Sequence, residues 1–225
     1  MNISDTLFKF NSEKLPENFV SIATKIVDKI PTHAAILIRY KNKHFLHHFP
    51  GSTKPEVIDD FNEDGWYVYK ILESLSYTES EVGSVLGQCY RICLKSDITY
   101  SFIADGSSHK DDGEFVSRVG LPEFGTCVGF CANTLTTAII DVKDDYFNLD
   151  DWDDSEINER IDVWSTMQAA KKYPDLDWTL YKAFKKRIKP LDYLCSAFLT
   201  NYPISKADIS IIEDEVQEAI NNLYR

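Results

Sequence analysis

Residues 32–49, THAAILIRYKNKHFLHHF, hold the pattern around which the rest of the chain can be organised. HAAILIRY is a short run rich in β-formers, and KHFLHHF follows after a brief polar turn, so the pair predicts a β-hairpin. Side chains alternate faces along each strand, so the loop length decides which histidine joins His33. A two-residue turn at Lys41–Asn42 pairs Ala35 with His48 and puts His48 on the face of His33. A three-residue loop of Tyr40, Lys41 and Asn42 pairs Ala35 with His47 instead, flanked by Phe45 and Phe49. Asn tolerates the left-handed conformation such a loop needs near its end. Either way, four of the five histidines fall within sixteen residues.

Upstream, NFVSIATKIVDKI (18–30) has apolar residues at 19, 20, 22, 23, 26, 27 and 30, a spacing that predicts a helix ended by Pro31. Downstream, Gly51 and Pro55 mark a loop, and 66–77 is apolar enough for strand or helix. Thr78 with Glu81 is a capping-box signal for a helix over 79–95. DITYSFIAD (97–105) reads as extended, and GSSHKDDGE (106–114) as a polar, mobile loop that could act as a lid. CVGFCANTLTTAII (127–140) predicts a buried helix with Thr126 as N-cap. Residues 141–159 hold nine acidic side chains and one Lys. Helical patterns follow at about 155–172, 176–189, 191–200 and 205–224, punctuated by Pro174, Pro190 and Pro203. Ser205 with Asp208 opens the last of these. The expected organisation is a mixed α+β core over 1–140. An acidic linker and α-helical extension over 141–225 would have a small core of its own from Trp152, Trp164, Trp178 and Tyr181.

The 225 residues are 44% hydrophobic and 27% charged, which excludes a collagen-like, low-complexity or wholly disordered chain. With 36 acidic against 24 basic residues the formal charge is −12, so nucleic acid is not an expected partner. The acidic surface would suit a basic protein instead. No run of about 18 apolar residues predicts a membrane span, and the N-terminus does not read as a signal peptide. Five cysteines at 89, 93, 127, 131 and 195 form neither a disulfide ladder nor a paired CxxC zinc pattern. Reduced thiols in the cytoplasm are expected, with Cys89 and Cys93 as core packing.

Cys127 is the residue richest in chemical meaning. It follows Gly125–Thr126 at a predicted helix start, where the positive end of the dipole favours a thiolate. The first backbone N–H groups there can hold a developing oxyanion. Cys131 sits one turn deeper and is the poorer nucleophile. A nucleophilic thiol needs a base within reach, and His33 opens a strand, a rigid platform with an exposed end. His44, His47 and His48 on the return strand are candidates to orient that base.

THAAILIRYKNKHFLHHF resembles the strand–turn–strand of NlpC-type peptidases and lecithin:retinol acyltransferase-like proteins, and GTCVGFC resembles their nucleophile helix. The order, His before Cys, resembles the circularly permuted branch of papain-like enzymes, which includes PPPDE-type isopeptidases. The resemblance covers about residues 30–50 and 97–140. It implies a papain-like core with a small antiparallel sheet. It implies Cys127 as nucleophile, His33 as base and His47 as the orienting residue, with no cofactor and no metal. The implied activity is cleavage of an amide or isopeptide bond, in a peptide or isopeptide substrate, through a Cys–His thiol mechanism.

Two alternatives carry different expectations. A lipid acyl hydrolase or acyltransferase would use the same groups on an acyl ester. A non-catalytic papain-like binding protein would keep the scaffold alone, and Thr126, where the family often has Asp or Asn, speaks for it. His47 and His48 point to opposite faces of a strand and do not easily share a metal ion. DDYFNLDDWDDSE lacks the central Gly and ligand spacing of a calcium loop. KAFKKRIK is expected to compensate the acidic segment or form a solvated face rather than a nucleic-acid patch.

Overall fold

A computed structural model of the chain describes residues 3–10, 15–63, 65–75, 78–136, 140 and 145–225. Its centre is a six-stranded antiparallel sheet built from β1 (Leu7–Lys9), β2 (Phe19–Val27), β3 (Ile30–Tyr40), β4 (Lys43–His48), β5 (Glu56–Ile58) and β6 (Tyr67–Ile71). The strand order is β1-β6-β2-β3-β4-β5, so β2 and β3 are central. The expected hairpin is present as β3–β4.

The helix expected over 18–30 is not formed. Those residues make β2, a two-residue turn and the start of β3. Along β2, Phe19 and Ala23 face one apolar cluster while Val20, Ile22 and Ile26 face another. A strand covered on both faces is apolar almost throughout, and such a run loses the alternation that marks a strand. The turn is signalled by φ values of 52° at Asp28 and 65° at Lys29, the left-handed pair of a tight hairpin. Pro31 therefore stands in a strand, opposite Ile26, where the register shifts between Lys25 and Ile26. Such an irregularity is where a sheet accommodates a residue with no N–H to donate.

Helices cover one face of the sheet. α1 (Glu79–Lys95) starts at the Thr78 cap, as expected, and buries Val82, Leu86, Cys89 and Ile92. Four short strands follow: β7 (Thr99–Tyr100), β8 (Ser108–His109), β9 (Phe115–Val116) and β10 (Phe124–Gly125). β8 pairs with β9 around an exposed turn at Lys110–Asp112, so the segment read as a polar loop over 106–114 holds a short hairpin, with His109 buried against Glu123. α2 (Cys127–Leu135) begins at the Thr126 cap, as expected. Then come α3 (Glu159–Lys172), α4 (Trp178–Ala183), α5 (Pro190–Ser196) and α6 (Lys206–Leu223). α4 stops at Ala183, short of the helix expected to 189, and Lys185 and Lys186 bridge back to Ile103 and Phe102.

Among the described residues, 145–225 share their core with the sheet rather than building one of their own. Trp152, Tyr193, Leu194, Ile209, Val216 and Ile220 join Ile22, Ile36, Val128 and Phe130 in one apolar cluster. Tyr181 packs with Ile103 and Phe124, and Trp164 is 42% exposed. Fully burying an aliphatic or aromatic side chain contributes about 1.5–3 kcal/mol, so this shared cluster, not a linker, ties the helical half to the sheet. The boundary expected near residue 140 borders 137–139 and 141–144, which lie outside the described residues. Among the described residues no helix is long and apolar enough to cross a membrane.

Candidate functional site

Cys127 is set in place by two elements. β10 pairs with β7 through Gly125 and Tyr100, which delivers the chain to the helix start in a fixed direction. Thr126 then caps α2, its hydroxyl oxygen accepting from Gly129 N–H at 3.2 Å. The sulfur rests against the backbone N–H of Ala34, the residue next to His33. Burial raises the Cys127 thiol pKa. The Ala34 N–H, the Arg187 charge and the N–H groups of Val128 and Cys127 oppose that rise in part. At rest the group is a thiol.

The hairpin register decides the rest of the site. Lys41 and Asn42 have φ of 50° and 62°, the two-residue turn, and Ala35 pairs with His48 while Ile36 pairs with His47. His48 therefore shares the face of His33, and the two rings meet, with His33 Nε2 2.9 Å from His48 Nδ1. Glu56 Oε1 lies 3.5 Å from His48 Nε2, an electrostatic contact rather than a hydrogen bond. The carboxylate favours the proton on His48 Nε2, which leaves Nδ1 to accept. His33 then donates from Nε2, and its Nδ1 keeps the lone pair. Burial, then the charges of His48 and Lys25, lowers the His33 pKa to about 4. Burial also lowers that of His48, with Glu56 and Glu63 pulling the other way.

His47, expected to orient His33, does not. It points to the helix side of the sheet, where Nε2 lies 3.1 Å from Thr134 Oγ1 and Nδ1 lies 3.3 Å from Cys93 Sγ. Thr134 uses its own proton on Phe130 O, so it accepts from His47 Nε2–H. His47 Nδ1 is then the acceptor for the Cys93 S–H. Burial, followed by the charges of His109 and His48, lowers His47 to about 3. Burial raises Cys93 to about 12. The pair is neutral on both sides, a core contact rather than a nucleophile and base.

The chain matches no family model, no curated protein and no solved structure.

The structure thus brings His33, His48 and Glu56 into one row on the face of the sheet turned away from the helices, the face of Ala35 and Leu37, whereas Cys127 lies on the helix face with Ala34 and Ile36. No hydrogen bond joins the Cys127 sulfur to His33 among the described residues. Glu56 escaped sequence reading because β5 has three residues and follows Gly51 and Pro55 in what reads as loop. Its register opposite His48 is the only signal, and that exists only once the strands are paired. Among the described residues no group of three or more His, Cys, Asp or Glu side chains is arranged to hold a metal. In the KAFKKRIK stretch, Lys185 bonds to Asp162 at 2.7 Å and Lys189 to Glu156 at 2.6 Å, which is compensation of acidic residues.

Two depressions frame the molecule. One of about 670 Å³ opens beside Phe49 and Tyr100, next to the end of β4 and the strand that pairs with β10. Another of about 700 Å³ lies along α1 between Val82, Gln88 and Arg91, and contains none of the candidate residues.

Proposed function

We propose that the chain is a cysteine hydrolase of permuted papain-like type, an amidase or peptidase cleaving an amide or isopeptide bond. Cys127 is the nucleophile, His33 the base and His48, rather than His47, the orienting residue. The observation that carries this reading is the 2.9 Å contact between His33 Nε2 and His48 Nδ1, on the strand whose Ala34 N–H meets the Cys127 sulfur. It leaves His33 Nδ1 as the nitrogen able to take a proton. The free state of all five cysteines supports a reducing compartment, the cytoplasm, as part of the same proposal.

The chemistry follows from the two neutral groups. A raised thiol and a lowered imidazole do not form a resting ion pair. The proton passes from Cys127 Sγ to His33 Nδ1 as sulfur attacks the carbonyl carbon; because His33 points to the face of β3 away from α2, this general-base step requires its ring first to swing round the start of that strand. Backbone N–H groups at the start of α2 then face the oxyanion. His33 returns the proton to the leaving amine, and water, activated by the same nitrogen, hydrolyses the thioester and frees the thiol. His48 holds the His33 ring and its tautomer, and the Glu56 carboxylate favours positive charge on the pair.

The raised Cys127 thiol and its lack of a hydrogen bond to His33 favour a second reading, a non-catalytic binding protein with an acidic surface for a basic partner. Iodoacetamide alkylation of the full chain, followed by peptide mass mapping, separates the two. The hydrolase reading expects Cys127 to be modified first, and the rate at pH 7 to fall at least about tenfold in His33→Gln and in His48→Ala but not in His47→Gln. Equal rates in wild type, His33→Gln and His48→Ala would falsify it.

A further inference from the structure

The cleft beside the end of β4 differs in charge from the molecule around it. Its floor is made by the rings of Tyr100 and Trp164, 5.7 Å apart, with buried Phe49 behind Tyr100 at 6.3 Å. Its rim carries Lys54, Lys171 and Lys172, and no carboxylate lines it. Lys172 is held by Asp97 at 3.0 Å and donates to the Thr99 hydroxyl at 3.1 Å. Lys54 and Lys171 form no ion pair among the described residues, and both are exposed. In a chain of net charge −12, three lysines around an aromatic floor make a local positive field.

The cleft is joined to the candidate site at both ends. Phe49 directly follows His48, and its ring is 6.0 Å from Phe130 in the first turn of α2. Tyr100 pairs in register with Gly125, two residues before Cys127. The loop that carries Lys54 passes close over Tyr100. At Gly51, where φ is +87°, a Cβ would meet the Tyr100 ring at 2.9 Å. Only glycine lets the backbone approach so near, and this fixes the distance between the lysine rim and the aromatic floor.

We propose that this cleft binds an acidic peptide segment, with an apolar side chain on Tyr100 and Trp164 and flanking carboxylates at Lys54 and Lys171. The inference rests on the hydrolase reading and names the substrate class for it: a peptide or protein tail bearing Asp or Glu beside the scissile amide. The aromatic floor with its lysines also has the makings of a platform for a nucleic-acid strand. A strand, however, needs a basic track along its phosphates, and the chain as a whole carries a net charge of −12. A short acidic segment needs only the two or three cations present.

The test is fluorescence anisotropy of three labelled peptides of equal length, each with a central Leu and flanked by Glu, Gln or Lys. They are titrated with the full chain carrying Cys127→Ala, so that binding is read without chemistry. The Glu peptide is expected to bind at least about tenfold more tightly than the Gln peptide, with the advantage shrinking between 0.05 M and 0.5 M salt. In the chain that also carries Lys54→Glu and Lys171→Glu, the preference should pass to the Lys peptide. Equal affinity for Glu and Gln peptides, an unchanged preference in the charge-reversed chain, or tighter binding of a single-stranded oligonucleotide overturns the proposal. Failure of the hydrolase reading shows separately, as a Cys127 that resists iodoacetamide while the Glu preference persists.

Discussion

Acid should unfold this protein unusually early, and two buried histidines set the size of the effect. His33 is held near pKa 4 and His47 near 3, both chiefly by burial, against an ordinary value of 6.5. A histidine whose folded pKa is lowered binds fewer protons in the native state than in the unfolded one, so the stability it supports is lost as pH falls below 6.5. Near pH 5 the unfolded chain carries about two more protons than the native one at these sites, and the slope of stability on pH is about 2.5 kcal/mol per unit. Between pH 7 and pH 4.5 the two sites together remove about 5 kcal/mol, the whole stability of a marginal domain. Urea unfolding followed by far-UV circular dichroism at half-unit steps of pH measures this directly. Calorimetry in buffers of different ionisation enthalpy counts the protons taken up. His47→Phe should roughly halve the slope, because it removes one titrating group while the Phe130 ring still has an aromatic neighbour, 4.8 Å from the His47 ring in the native chain. A flat stability curve from pH 7 to pH 5, or uptake of fewer than about 0.5 protons on unfolding, would show that these rings titrate as solvent-exposed histidines and that the buried network is wrong.

Two further substitutions test the frame that carries the site. Gly113→Ala should cost about 2–4 kcal/mol, since φ is +85° and a Cβ would lie 2.4 Å from the Arg91 carbonyl group; a urea midpoint within error of wild type contradicts that close approach. Thr126→Ala removes the oxygen that accepts from Gly129 N–H and should cost about 1 kcal/mol, while Thr126→Ser restores most of it; equal loss in both variants would remove the cap from the account of how Cys127 is placed.

The hairpin, the Thr78, Thr126 and Ser205 caps and the helix starts they mark were legible from residues alone, because each rests on local chemistry. The side-chain oxygen of a cap needs only the next turn of backbone, and a strand–turn–strand run needs only its neighbours. Residues 19–27 show a helix-like spacing for the opposite reason. Their apolar character on both faces comes from two layers of core supplied by distant parts of the chain, Phe61, Tyr67 and Tyr69 on one side and Val128, Phe130, Tyr193 and Leu194 on the other. The helical half reads in sequence as an appendage for the same reason, since nothing local shows that α5 reaches β3, where Tyr193 Oη lies 3.5 Å from Ala35 O.

The choice between His47 and His48 turned on a single residue of loop length, and its consequence is global because strand side chains have a period of two. Lys41 is the residue that resolves it. A lysine at φ 50° is less expected than the Asn that follows it, and the sequence holds no glycine there to announce a tight turn. Once both turn residues are left-handed, every side chain of β4 is assigned a face. His48 goes to His33, and His47 goes into the core against Cys93 and Thr134. The same parity explains why two adjacent histidines have unrelated environments. One is linked outward to an exposed carboxylate, Glu56; the other is closed on both nitrogens and kept neutral. A one-residue slip in register, with Tyr40, Lys41 and Asn42 all taken into the turn, would exchange them. It would bring His47 beside His33 and drive His48 into the apolar cluster, without its present partners and at the cost of an unsatisfied buried ring.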